Sequence, residues 1–302
     1  MQSAPIVAAA SKPWRGVVMA MLVGMAFAAN TSLAAVAYTG GVTPVTMLIA
    51  RTATALTVLY LILRVKDVPR QLPAPQRGMA MVVGCFFTGY SFAVLVAIKY
   101  LPVGLVVATF YTFPLMIAVV EWRSGRQAFS ARTAMALVTA FIGIVLALNV
   151  FGTVPNLFGI TLCLIGAVCV TTVMTLSARA RGDGDSRPVT LHMLGVALAV
   201  FLSVAVVTGD VALPSTTYAW FGFIAGPVFY TFAIVTLFIV FADIGPVKAS
   251  MIMNVEPVTS VVLGYLLLDQ LLSTTQLIGI GLVVASVLVV ESAKQESAAA
   301  SS

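Results

Sequence analysis

Long apolar stretches, broken at near-regular intervals by short polar ones, run the length of this chain. A helix crosses the hydrocarbon core of a bilayer with about 20 consecutive apolar residues, so the stretches can be counted as spans. The pattern predicts ten: 16–37, 44–63, 78–98, 103–120, 133–150, 157–178, 189–208, 218–241, 247–268 and 274–291. Between them lie segments such as "AYTGGVTP", "FGTVPN" and "TGDVALPST", whose Gly, Pro, Asn and Ser are turn formers. The predicted fold class is an all-α polytopic membrane protein.

Composition strengthens this reading. Hydrophobic residues make up 61% of the chain and charged residues 9%, where a soluble domain carries about 25%. The net charge of +6 is explained by orientation in a bilayer, so no nucleic-acid partner is predicted. Lys12 and Arg15 precede the first span; Arg64, Lys66, Arg70 and Arg77 follow the second; Arg123, Arg126 and Arg132 follow the fourth. Arg179, Arg181 and Arg187 follow the sixth, Lys248 opens the ninth, and Lys294 lies in the tail. All of these fall on one side, while the opposite loops carry only Lys99. The positive-inside rule then places both termini in the cytoplasm, with a bacterial inner membrane as the expected location. A basic start followed by an apolar run and "AAVA" also satisfies a cleaved signal peptide, but cleavage would leave nine spans. Cys85, Cys163 and Cys169 sit inside apolar runs and are expected to be packing residues, with neither a disulfide framework nor a cofactor implied.

A shift of 143 residues sets Gly16 on Gly159, Leu33 on Leu176, Phe86 on Phe229, Thr88 on Thr231, Pro114 on Pro257 and Ser130 on Ser273. One residue more sets "PVT" at 44–46 on "PVT" at 188–190. Five spans thus repeat as five. An odd number of spans inverts the second copy, giving ten transmembrane helices as two inverted five-helix repeats, an architecture expected of secondary transporters. The predicted units are a segment 1–15, a first repeat 16–150, a second repeat 157–291 and a polar tail 292–302. Loss of the first span would break this repeat.

The segments "TPVTMLIARTATALTVLYL", "AIKYLPVGLVVATFYTFPLMIAVVEW" and "NVEPVTSVVLGYLLLDQLLSTTQLIGIGLVVASVLVV", together with the repeat, resemble the EamA-type transporters of the drug/metabolite transporter superfamily. The resemblance covers about residues 16–291 and implies export of a metabolite or amphiphile, driven by its own gradient or by proton exchange. Members usually carry an acidic residue after the fourth and ninth spans. Asp269 fills the second place, whereas Arg126 stands in the first.

Charged and polar groups within spans are the candidate site. Glu256 lies roughly 13 Å into the ninth span, directly before Pro257. A central charge costs about 2.5–3.5 kcal/mol, so the carboxylate is expected to face the interior as a proton-coupling group or a ligand for a cationic group, or else as a protonated carboxyl bonded to a neighbouring helix. Pro257 removes the helical donor for the Met253 carbonyl, which is expected to require another polar partner or water. Arg51, roughly 10 Å deep, either meets an anionic substrate group or Glu256, or serves structure by reaching backbone carbonyls or snorkelling outward. Under the repeat shift, Glu256 corresponds to Phe113 and Arg51 to Gly195, which makes the site asymmetric.

Asn30, Thr31, Ser32, Tyr90, Tyr111, Tyr230, Thr231 and Asn254 add neutral hydrogen-bonding groups, and Phe86, Phe87, Phe110, Phe113 and Phe229 supply aromatic walls. The substrate-binding set is Asn30, Arg51, Phe87, Tyr90, Tyr111, Tyr230, Asn254 and Glu256, with Glu256 also the coupling group. Pro114 and Pro257 are the expected hinges, and Gly78, Gly84, Gly89, Gly143, Gly279 and Gly281 the expected close-contact positions. The chain lacks a P-loop, which excludes an ATP-driven pump on this chain alone. An intramembrane enzyme and a channel are the competing classes. His192, the one histidine, sits near the start of the seventh span outside any catalytic motif. The expected partners are therefore a small-molecule substrate, the lipid bilayer and the coupling proton.

Overall fold

The computed structural model describes residues 13–97, 100–101, 103–125, 131–148, 156–181, 184–268 and 273–299. Among them the chain folds as helices: α1 (Pro13–Thr39), α2 (Pro44–Val65), α3 (Ala74–Ala97), α4 (Val103–Phe110), α5 (Phe113–Arg123), α6 (Ala131–Ala147), α7 (Leu157–Arg181), α8 (Ser186–Thr208), α9 (Thr217–Ile244), α10 (Pro246–Ile252), α11 (Val255–Leu268) and α12 (Thr274–Ala299). Lys12, Lys99, Arg126 and Asp269 lie outside the described residues.

The polar interruptions stop and start helices by identifiable chemistry. Thr43, Asp185 and Thr216 are N-caps whose side-chain oxygens accept from the N–H of Thr46, Arg187 and Ala219. Ser273 and Gln276 form a reciprocal capping box: Gln276 N donates to Ser273 Oγ at 3.2 Å and Ser273 N to Gln276 Oε1 at 2.9 Å. Gly209 ends α8 at φ 64° and Gly245 separates α9 from α10 at φ 80°, a backbone region that side chains disfavour. Among the described residues, eight segments are long and apolar enough to cross a membrane, including α4–α5 and α10–α11 taken together; Ala134–Ala147 and Thr274–Ser286 are shorter apolar helices.

The principal helix contacts map onto one another when the two halves are exchanged. Helix α1 packs on α9, and its repeat counterpart α7 packs on α3. Helix α1 also meets α10 and α11 as α7 meets α4 and α5, and α2 meets α9 as α8 meets α3. The pairs α2 with α8 and α6 with α12 map onto themselves, so they sit on the pseudo-two-fold axis. Ser215 N donates to the Gly40 carbonyl at 3.0 Å, joining the α8–α9 and α1–α2 connections at one end of the bundle. Those connections follow the seventh and first spans, and their meeting fixes the inverted parity of the copies.

Helices in hydrocarbon gain little from burying apolar surface against one another, so close backbone approach carries much of the packing. A Cβ on Gly279 would run into the Ala147 backbone nitrogen, and one on Gly143 would lie 2.9 Å from the Gly279 carbonyl oxygen, so α6 and α12 touch backbone to backbone. Gly84 allows the same between α3 and α8, where an added Cβ would meet Val196 Cβ at 2.8 Å. Gly89 has ordinary contact with Cys169, and Gly78 and Gly281 face open space, so the latter two are not contact positions. Their helical spacing puts them on the wrong side.

Candidate functional site

The fourth and ninth spans are each interrupted. Helix α4 ends at Phe110, and α5 restarts at Phe113 with Pro114 in its first turn. Helix α10 ends at Ile252, and α11 restarts at Val255, two residues before Pro257. Proline, lacking an N–H, is tolerated in a first turn, so each short helix begins where its proline is least disruptive. The Met253 carbonyl, expected to lack a helical donor, accepts instead from the Glu256 N–H at 2.8 Å in a tightened turn. Helix α1 passes directly over this break. A Cβ on Gly24 would sit 2.7 Å from Val255 Cγ1 and 3.3 Å from the Met253 oxygen.

The interruption places Glu256 in the first turn of α11, at the end of a helix whose free N–H groups attract negative charge. This offsets part of the penalty for a mid-span carboxylate. Glu256 is half-buried, with the Tyr111 hydroxyl and the Arg51 guanidinium near enough to act on it electrostatically. The two breaks therefore face each other chemically: Tyr111 follows α4 and Glu256 opens α11.

Arg51 of α2 does not snorkel. Its guanidinium carbon stands 4.7 Å from the ring centroid of Tyr230, a cation–π contact, and its Nε is buried without a hydrogen-bond partner. Tyr230, 1% exposed, is held edge-on by Phe27 at 6.1 Å. Its hydroxyl faces Thr52, yet neither Tyr230 Oη nor Thr52 Oγ1 completes a hydrogen bond within the protein. Asn30 Oδ1 and Asn254 Oδ1 are likewise buried and unpartnered. Five polar atoms on α1, α2, α9 and the α10–α11 break are thus removed from water with their bonding capacity unspent.

A strip of rings lines the other half. Phe87 meets Tyr90 edge-on at 5.2 Å, Tyr90 stacks on Phe110 at 5.9 Å, and Phe110 and Tyr111 both pack on Phe113. Phe113, the counterpart of Glu256, is buried among these rings, and Gly195, the counterpart of Arg51, faces open space. One half of the site is aromatic and the other polar.

Other expectations change. Phe229 points outward and is 44% exposed, because Phe229 and Tyr230 are adjacent on a helix and cannot share a face. Thr31, Thr88 and Thr231 donate to their own helices' carbonyls at Phe27, Gly84 and Pro227, so their hydroxyls are engaged locally. His192 Nδ1 lies 2.9 Å from the Pro188 carbonyl within α8, away from these groups. Thr52, Tyr38 and Phe27 join the neighbourhood of Arg51 and Tyr230 without having been singled out. Adjacency to Arg51 was the available signal for Thr52. Glu121, 5% exposed in α5 and engaged with other groups, is a buried carboxylate that hydropathy alone concealed.

A family model described as "EamA-like transporter family" matches residues 14–149 and again 157–292. A search of curated proteins gave no match. Among solved structures, one titled only "Crystal structure of protein" is similar over 93% of this chain and 98% of its own, with a TM-score of 0.73 at 18% identity, a likeness of fold.

Proposed function

Because the chain belongs to the EamA-like transporter family, we propose that it is a secondary transporter exporting a small metabolite or amphiphile by alternating access around one central site. Arg51, Tyr230, Thr52, Asn30 and Asn254 supply the polar contacts, and the ring strip from Phe87 to Phe113 supplies the apolar wall. Glu256 is the coupling group, and the breaks beside Pro114 and Pro257 are the points at which helices are re-aimed.

The observation that carries this reading is the set of five buried polar atoms without partners. Each unsatisfied group costs about 1–3 kcal/mol, so together they oppose folding by roughly 5–15 kcal/mol, as much as a typical domain's whole stability. Packing alone gives no reason to retain them. A bound ligand completes their bonds, and binding energy then offsets the penalty. The half-helix ends at Tyr111 and Glu256 fit the same role, since broken helices at mid-depth present backbone and side-chain groups to a cargo.

Purified protein in liposomes tests the proposal by counterflow. Saturable exchange of a labelled compound supports a carrier, conductive flux a channel, and chemical conversion an enzyme. Glu256→Gln is expected to abolish proton-driven transport and spare exchange driven by the substrate gradient. Equal loss of both modes would refute coupling through this carboxylate.

A further inference from the structure

At the basic end of α2 the chain encloses a recess of about 780 Å³, lined by Tyr60, Leu63 and Arg64 of α2, the connection from Asp67 to Gln71, and Leu191 of α8. Helix α2 has 22 residues, about 33 Å at 1.5 Å per residue, so Arg64 in its last turn lies at the edge of a hydrocarbon core about 30 Å thick. The recess is therefore at headgroup depth and opens beside lipid-facing residues: Tyr60 is 41% and Leu61 50% exposed.

Its chemistry is basic and preorganised. The Arg70 guanidinium lies over the Tyr60 ring at 5.0 Å from the centroid, which holds the fork in place. Among the described residues neither Arg64 nor Arg70 is in an ion pair, although the Asp67 carboxylate shares the lining. Gln71 adds an amide and Leu63 with Leu191 an apolar floor.

The pseudo-symmetry supplies an independent contrast. The equivalent corner at the other end, where the α8–α9 connection crosses the start of α2, is closed by hydrogen bonds: Thr43 Oγ1 to the Asp210 carbonyl at 2.9 Å and Ala212 N to Thr46 Oγ1 at 3.1 Å. At the basic end the connection turns back on its own helix instead, Asp67 N bonding Arg64 O and Val68 N bonding Leu63 O. Among the described residues no hydrogen bond crosses from it to α8, and the arginines stand where the closing contacts would be.

We propose that this recess binds the phosphate of an anionic phospholipid headgroup, with Arg64 and Arg70 on the phosphate oxygens and an acyl chain descending past Tyr60. The lipid links the end of α2 to α8 in place of the hydrogen bonds that close the opposite corner. Arginine suits this because its planar fork matches phosphate oxygens, and each juxtamembrane cation strengthens anionic-lipid binding about five-fold.

The test is native mass spectrometry of the full chain released from phosphatidylglycerol-containing nanodiscs, with lipid retention titrated against phosphatidylcholine. Retention of phosphatidylglycerol is expected to fall roughly thirty-fold in the double variant Arg64→Gln/Arg70→Gln and to hold in Arg77→Gln, outside the recess. Unchanged retention in the double variant, or equal loss in Arg77→Gln, would overturn the proposal. Titration with inorganic phosphate separates the sources: phosphate that binds in detergent and is lost in the double variant, with no lipid retained, would assign the chemistry to a soluble anion and reject the lipid. Should the double variant fail to fold, Tyr60→Leu serves in its place, since it frees Arg70 while keeping the charge and is expected to weaken retention several-fold. No change in that variant would count against the site.

Discussion

Replacing Tyr230 with Phe removes one oxygen and leaves the ring, its edge contact with Phe27 and the Arg51 guanidinium above it. In most buried sites this substitution destabilises, because a hydrogen bond of about 0.5–1.5 kcal/mol is lost. Here the Tyr230 hydroxyl is buried without a partner, so the substitution relieves a desolvation penalty of about 1–3 kcal/mol. Tyr230→Phe is therefore expected to raise the unfolding temperature of the ligand-free protein, by roughly 2 °C for each kcal/mol in a chain of this size. In the same variant the substrate loses a bonding partner, and its half-saturation concentration in counterflow is expected to rise about five-fold. Thr52→Val repeats the experiment on an isosteric side chain that is fully buried and equally unpartnered. A lower unfolding temperature in both variants, with transport unchanged, would show that the two hydroxyls satisfy the protein rather than a cargo.

The other predictions concern the frame. Gly279→Ala is expected to separate α6 from α12 and destabilise by about 1–3 kcal/mol, because the added carbon meets backbone atoms, whereas Gly281→Ala, with open space beside it, is expected to be neutral or mildly stabilising in a thermal unfolding assay. Comparable destabilisation of both would contradict the backbone contact at Gly279. Gly24→Val is expected to disturb the α10–α11 break and reduce transport more than stability, measured by counterflow beside thermal unfolding, since α1 crosses Met253 and Val255 at that glycine. Ser273→Ala removes the capping box of α12 and is expected to cost about 0.5–2 kcal/mol with unaltered substrate affinity.

The spans and the repeat were legible in the sequence because they rest on local rules. Hydrocarbon thickness sets the length of an apolar run, and Thr43, Asp185, Thr216 and Ser273 mark helix starts through hydrogen bonds made within three residues. The constant offset of 143, kept from Gly16 and Gly159 through Pro114 and Pro257 to Ser130 and Ser273, carried the duplication. Glu256 and Arg51 drew notice for a similar reason: a charge within a span is costly wherever the span goes.

Which way each side chain faces was settled by helices far apart in sequence. Phe229 and Tyr230 are neighbours in the chain, yet one meets lipid and the other lies under Arg51 of α2. Gly279 touches backbone and Gly281 does not, because the approach of α6 selects one side of α12. The prolines announced a disturbance, but the split at Met253 and Asn254, the tightened turn that satisfies the Met253 carbonyl and the placing of Glu256 at a helix start belong to the folded chain. A sequence records how costly a buried polar atom is; only the packed bundle decides whether that atom finds a partner, and at Asn30, Thr52, Tyr230 and Asn254 it leaves the bond open.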